Sequence, residues 1–212
     1  MDDLTVWKMI HGERAAVADM LVTLTPSQWA EQSLCGGWSV HVAAAHIVTG
    51  AEQTTAHFLR RMAATGFRFN TMIDVDARRL GMLSNGELIE RLRARLTTTN
   101  KPPAPVMTML GEVVVHGEDI RHPLGLKSTV GDEALKACLD MYTTTSFPVG
   151  TKKRIESLRL VAEDVGWSYG TGPEVVGPGA SVLLAMTGRR AALDDLGGEG
   201  LATLRARMEP AR

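Results

Sequence analysis

The stretch GEVVVHGEDIRHPLG, Gly111–Gly125, decides how the chain is read. Glu112 and His116 are four residues apart and Asp119 follows three later, so on a helix the three side chains share one edge beside the apolar run Val113–Val115. At about 100° per residue Glu112 and His116 nearly superpose, and Asp119 falls within roughly 60° of His116. Such an edge has two readings. Pairs three and four residues apart support an exposed helix modestly, and Arg121 and His122 suit the negative end of the helix dipole. Turned inward, the same edge is half of a metal site, because helix bundles build metal centres from side chains on facing helices. Pro123 and Gly125 end the helix.

The other half is found upstream, in GGWSVHVAAAHIVTGAEQ. Ser39 is placed to cap a long helix expected over about Val40–Ala64, with Val40, Ala44, Ile47, Ala51, Phe58 and Met62 at core spacing. His46 lies on the flank of that apolar face. Its neighbours one turn away, Val42, Ala43, Thr49 and Gly50, are small enough to leave room beside the imidazole. One histidine here, with Glu112 and His116 on another helix, makes a two-histidine, one-carboxylate set. Three protein ligands and an open fourth position are the catalytic arrangement of zinc. Asp119 would orient an imidazole from behind. Spacing alone leaves the alternative standing, in which His46 is a structural hydrogen bonder and the Glu112–His116 edge is solvated.

The remaining polar candidates carry less. His57 shares the His46 face but stands roughly 16 Å along the expected helix, too far to bind the same ion. His41 points to the opposite side, His122 reads as solvated, and His11 stays open as a neighbour of the site. Cys35, in the loop LCGGWS, has no base evident in the sequence and reads as incidental. Asp74, Asp76, Asp194 and Asp195 lack a calcium-loop pattern and read as helix-terminal acids.

Around these motifs the chain reads as helix after helix to about residue 150. A first helix covers about Asp2–Leu24, and Thr25-Pro26 opens a short one carrying Trp29. FRFNTMIDVDARRLGM reads as a loop with a short helix, and Ser84 with Glu87 forms a capping box for the next. GDEALKACLDMYTTTSF is a further helix, closed by Pro148 and Gly150. After that the texture becomes β-branched and turn-rich in LRLVAEDVGWSYGTGPEVVG, then returns to short helices. The expected fold is mainly α: a four-helix bundle over 1–150 followed by a small α/β C-terminal domain over 151–212.

Of 212 residues, 23 are basic and 24 acidic, a net charge of −1 that offers no field for nucleic acid or an anionic membrane surface. The start MDDLTVWKMIHGER has acids where a signal peptide needs basic residues, and two cysteines make no disulfide framework, so a cytoplasmic location is expected.

Taken together, the motifs resemble a known family. GWSVHVAAAHIVTGAEQ resembles the first signature of the mycothiol-dependent maleylpyruvate isomerase family, and EVVVHGEDIRHPLG its second, shared with the wider DinB-like metal-binding bundles. The segment from Leu158 to Met208 resembles the small domain that often follows, though it reads as short beside the full isomerase. The resemblance implies a DinB-like fold, a divalent metal, usually zinc, on His46, Glu112 and His116, and mycothiol as cosubstrate.

The chemistry so implied is thiol activation. A free thiol with a pKa of about 8.5 is only a few per cent ionised at pH 7, and a cation stabilises the thiolate. The expectation is therefore a metalloenzyme that ionises a low-molecular-weight thiol for attack on a small electrophile, as isomerase or S-transferase. Arg121, Arg159, Arg189 and Arg190 are the cations available to an acidic substrate. The alternatives are a metal-dependent hydrolase using bound water, and a non-catalytic bundle that binds a small molecule. The sequence leaves monomer and homodimer equally open.

Overall fold

The computed structural model describes residues 1–145 and 149–209; Pro148, expected to close a helix, lies outside them. Two compact units divide the chain, Met1–Thr129 and Val130–Arg212, a division earlier than the change of texture near Gly150.

The first unit holds α1 (Asp3–Thr23), α2 (Pro26–Ala30), α3 (Val40–Glu52), α4 (Thr55–Ala64), α5 (Phe69–Leu80), α6 (Asn85–Arg93) and α7 (Val106–Arg121). The helix starts follow the capping chemistry. Asp2 accepts the Thr5 amide at 2.8 Å and Ser39 the Val42 amide at 3.4 Å, while Thr25/Gln28 and Ser84/Glu87 form capping boxes. α1 and α3 each pack on both α6 and α7, so these four close into the expected bundle. Its core is aliphatic, with Ile10, Val17 and Leu21 of α1, Ile47 of α3, Leu88 and Leu92 of α6, and Leu110 and Val114 of α7 all buried. Each such side chain contributes about 1.5–3 kcal/mol of transfer free energy. α3 is buried on nearly every face, and its alanines and Gly50 let its neighbours approach closely.

Two expectations change here. The single helix Val40–Ala64 is two helices, α3 and α4. Thr54 takes an extended backbone and its hydroxyl accepts the His57 amide at 3.2 Å, so a new cap forms in place of continued α-helical bonding. α5 is a full helix rather than a loop with a short one. It packs on α3 and buries Met72, Asp76 and Ala77.

The second unit comprises α8 (Asp132–Thr144), α9 (Thr151–Ile155), β1 (Arg159–Ala162), β2 (Trp167–Tyr169), β3 (Glu174–Gly177), α10 (Gly179–Met186), a 3-10 helix (Arg190–Asp195) and α11 (Leu201–Ala206). The sheet order is β2-β1-β3, antiparallel between β1 and β2 and parallel between β1 and β3. α10 is buried along its whole length and packs on β1, β3, α8, α9 and the 3-10 helix. α8 packs on α9 and α10 through Ala134, Leu135, Ala137, Cys138 and Leu139, and Trp167 donates its indole N–H to Asp140 at 2.7 Å. The chain is thus mainly α with a small mixed sheet, the expected fold class. Among the described residues no helix is long and apolar enough to cross a membrane.

Candidate metal centre

His46 on α3 meets Glu112 and His116 of α7. Its Nε2 lies 3.9 Å from Glu112 Oε1, and its ring stands edge-on to that of His116 with centroids 4.6 Å apart. The centroid of the Trp38 ring is 5.1 Å from that of His46. Gly50, one turn beyond His46, supplies the space that Glu112 uses: a Cβ there would overlap the carboxylate. A residual cavity of about 10 Å³ beside Glu112, lined by Arg14, Ile47, Gly50, Ala51, Met109 and Val113, holds one water at most.

His116 has a second set of neighbours. Its Nδ1 is 2.9 Å from Asp119 Oδ2, so Asp119 does orient this imidazole. Cys35 Sγ lies 3.3 Å from the same nitrogen and donates to Asp119 Oδ2 at 2.9 Å. The loop thiol is therefore part of the site and not incidental. It is held there because the Leu34 amide donates to the Asp119 carbonyl at 3.0 Å and Gly37 takes a left-handed backbone (φ 79°) that turns the loop back into Trp38. Nothing in the spacing of the sequence joins Cys35 to a residue more than eighty positions later. Among the described residues, Cys35, His116 and Asp119 are the group whose donor atoms all lie within 4.8 Å of one another.

Burial is the largest single influence on both Glu112 and His116. It pushes the Glu112 carboxyl up to about 7, against the opposing pull of His116 and Arg14. Burial pulls His116 down, but the Cys35 sulfur and the Asp119 carboxylate outweigh it and hold the imidazole at about 10. Arg14 is buried, donates to the Thr98 carbonyl at 2.8 Å, and lies 5.8 Å over the Trp7 ring.

The other sequence candidates are placed elsewhere. Arg121 is only 2% exposed and donates to buried Glu118 at 3.1 Å, so its guanidinium is committed inside the unit and does not reach a ligand. His41 bonds Asn85 at 2.7 Å and the Gly81 carbonyl at 3.0 Å, a structural role. His57 sits on α4, and His122 caps the end of α7. Asp74 accepts the Trp38 indole N–H at 2.7 Å, and Asp76 pairs with Arg61 at 2.6 Å. Of the second-unit arginines, Arg159 pairs with Glu174 at 3.2 Å, while Arg189 and Arg190 donate to the carbonyls of Thr187 and Met208. A cavity of about 1040 Å³, lined in part by Lys152, Lys153, Ser157 and Tyr169, belongs to the second unit and touches none of the site residues.

Fold and site together define a four-helix bundle with a histidine–carboxylate cluster between α3 and α7, and a small α/β unit in the second half of the chain. The resemblance to the mycothiol-dependent maleylpyruvate isomerase family holds: residues 10–104 match the family model described as the mycothiol maleylpyruvate isomerase N-terminal domain. That match includes His46 and ends before Glu112 and His116. The fold is shared with the crystal structure of the mycothiol-dependent maleylpyruvate isomerase, at a TM-score of 0.64 and 16% identity, over 94% of this chain and 93% of that one. A His-to-Ala mutant of that enzyme matches at a TM-score of 0.63, with the same identity and coverage. The C-terminal part is therefore not short beside the isomerase, as its sequence suggested. No curated protein matches the chain. At this identity the likeness establishes the fold.

Proposed function

We propose that the protein is a thiol-dependent metalloenzyme akin to the mycothiol-dependent maleylpyruvate isomerase, with a divalent metal, zinc, held by His46, Glu112 and His116. The observation that carries this reading is the meeting of His46 on α3 with Glu112 and His116 on α7, at 3.9 Å and with ring centroids 4.6 Å apart. The residue types suit the ion. Two imidazoles and one carboxylate are zinc ligands that leave a coordination position open. Glu112 is a carboxylate whose burial alone drives it towards neutrality, a cost that a bound cation removes. The slot at Gly50 keeps its oxygens beside His46.

The chain's own residues then have distinct tasks. Asp119 accepts the Nδ1 proton of His116, which leaves Nε2 as the ring nitrogen able to coordinate. Trp38 packs its ring against that of His46, with centroids 5.1 Å apart. A divalent cation held by these residues would supply the Lewis acidity that ionises the sulfur of a low-molecular-weight thiol. The family likeness supports mycothiol as that thiol and a small electrophile as its target, in isomerisation or S-transfer.

The experiment is metal analysis paired with thiol consumption. The full chain should hold one zinc against a chelator and consume mycothiol with a model electrophile, and His46→Ala should lose both. Zinc held with wild-type affinity by His46→Ala ends the assignment of the centre, and a zinc protein inert to thiols ends the assignment of the chemistry.

A further inference from the structure

We propose that Cys35, Asp119 and the Nδ1 of His116 form a second cation site, selective for thiophilic cations, that competes with the His46, Glu112 and His116 centre for the single imidazole they share. The competition rests on the metal centre proposed above; the site itself does not.

Three unlike donors converge there. The sulfur is 3.3 Å from the ring nitrogen and 2.9 Å from Asp119 Oδ2, and that oxygen is 2.9 Å from the nitrogen. Bond lengths of about 2.0–2.3 Å place the donors of a tetrahedral site roughly 3.3–3.7 Å apart. The cluster therefore accepts a cation if its members spread by a few tenths of an ångström. The mixture of thiolate, imidazole and carboxylate favours cations of the zinc, cadmium and copper(I) kind over magnesium or calcium. Two features show a built position rather than a chance approach. Asp119 is fully buried, at 0% exposure, on α7. The Cys35 backbone is fastened at both ends: its amide donates to Ser33 Oγ at 3.2 Å, and its carbonyl accepts the Trp38 amide at 3.0 Å and the Gln32 side chain at 3.2 Å. Cys35 as a residue is half-buried.

The competition follows from the chemistry of imidazole. To bind any cation the His116 ring must first release one proton to solvent, and the neutral ring then has one lone pair and one N–H. With the cation at Nε2, the proton sits on Nδ1 and is given to Asp119. With a cation at Nδ1, the Cys35 thiol gives up its proton to solvent, the ring proton moves to Nε2, and the His46 centre loses one of its three ligands. Both positions fill together only if the ring loses its last proton.

Cadmium is the probe, because thiolate-to-cadmium charge transfer absorbs in the ultraviolet. Titration of the full chain should give this band to saturation at one equivalent. Cys35→Ser, which keeps a hydroxyl for Asp119, should abolish it, and His46→Ala should retain it. In the zinc-loaded protein, cadmium should release zinc to a chromophoric chelator, and Cys35→Ser should need about tenfold more cadmium. No band in the wild type, or an undiminished band in Cys35→Ser, overturns the site; a full band with zinc retained overturns the competition. A chain that takes up no zinc yet shows the cadmium band instead refutes the proposed function and leaves this site standing.

Discussion

The Glu112 carboxylate occupies the volume that any side chain at Gly50 would claim, so α3 and α7 are fitted to one another at the residue that joins them. A methyl group at Gly50 cannot be absorbed by backbone motion in a helix buried on nearly every face. It must turn Glu112 away from His46. Gly50→Ala is expected to weaken zinc binding by about tenfold or more while the chain stays folded. Chelator competition reads the affinity and circular dichroism the fold. Unchanged affinity would mean that Glu112 does not ligate from this position.

The Cys35 loop is tied to α5 as well as to α7. Asp74 accepts the Trp38 indole at 2.7 Å and Arg78 Nε at 2.9 Å, and Arg78 also reaches the Gly37 carbonyl at 3.0 Å. These contacts lie at the surface, so the pair is screened, and the hydrogen bond to Trp38 is the main contribution. Asp74→Ala should cost about 1 kcal/mol in chemical denaturation. It should also speed amide exchange across Leu34–Trp38 more than elsewhere in the unit. Exchange that stays uniform would show that α7 alone holds the loop.

How much of this was legible in the sequence follows from what kind of contact each feature needs. Helix starts were legible because their chemistry is local: Ser39, Ser84 and Thr25 cap where their positions said they would. The shared edge of Glu112 and His116 was legible because helical periodicity aims side chains, whereas their approach to His46 on another helix was expected only from the family resemblance. The break at Gln53–Thr54 was not, since Phe58 and Met62 continue the apolar spacing across it and only the Thr54 hydroxyl interrupts the ladder. α5 was missed for the reverse reason: FRFNTMIDVDARRL has no side-chain cap, and its helix depends on packing against α3. Cys35 was invisible as a site residue because a loop–helix contact across so long a separation leaves no trace in spacing. Arg121 looked available because its i−3 partner, Glu118, is buried with it only once α7 is docked.

That buried pair sets the third expectation. Glu118 and Arg121 are 3% and 2% exposed, and Ser128 also donates to the carboxylate at 3.1 Å. Removing one member strands the other charge in the interior. Arg121→Met should cost about 3–5 kcal/mol, and the double variant Arg121→Met with Glu118→Leu should recover most of it. Equilibrium denaturation of the three chains measures the cycle. A stable Arg121→Met that has lost only activity would instead restore Arg121 as a substrate-binding cation.

The last expectation concerns pH and His11. Burial lowers its pKa below the usual 6.5, and the Arg14 charge adds to this, against a smaller opposing contribution from Thr98. The unfolded chain therefore binds a proton more readily than the folded one. The stability that His11 contributes is fully present above about pH 6.5 and is lost as pH falls through the depressed folded value. Other groups titrate in the same range, so the quantity to measure is the difference between the wild type and His11→Gln. That difference should favour the wild type most near pH 7.5 and shrink towards about pH 5.5. Denaturation at the two pH values gives the difference, and an NMR titration of the His11 ring gives the pKa directly. A ring that titrates above its ordinary value, or a difference that grows as the solution is acidified, would mean that His11 gains a partner when protonated.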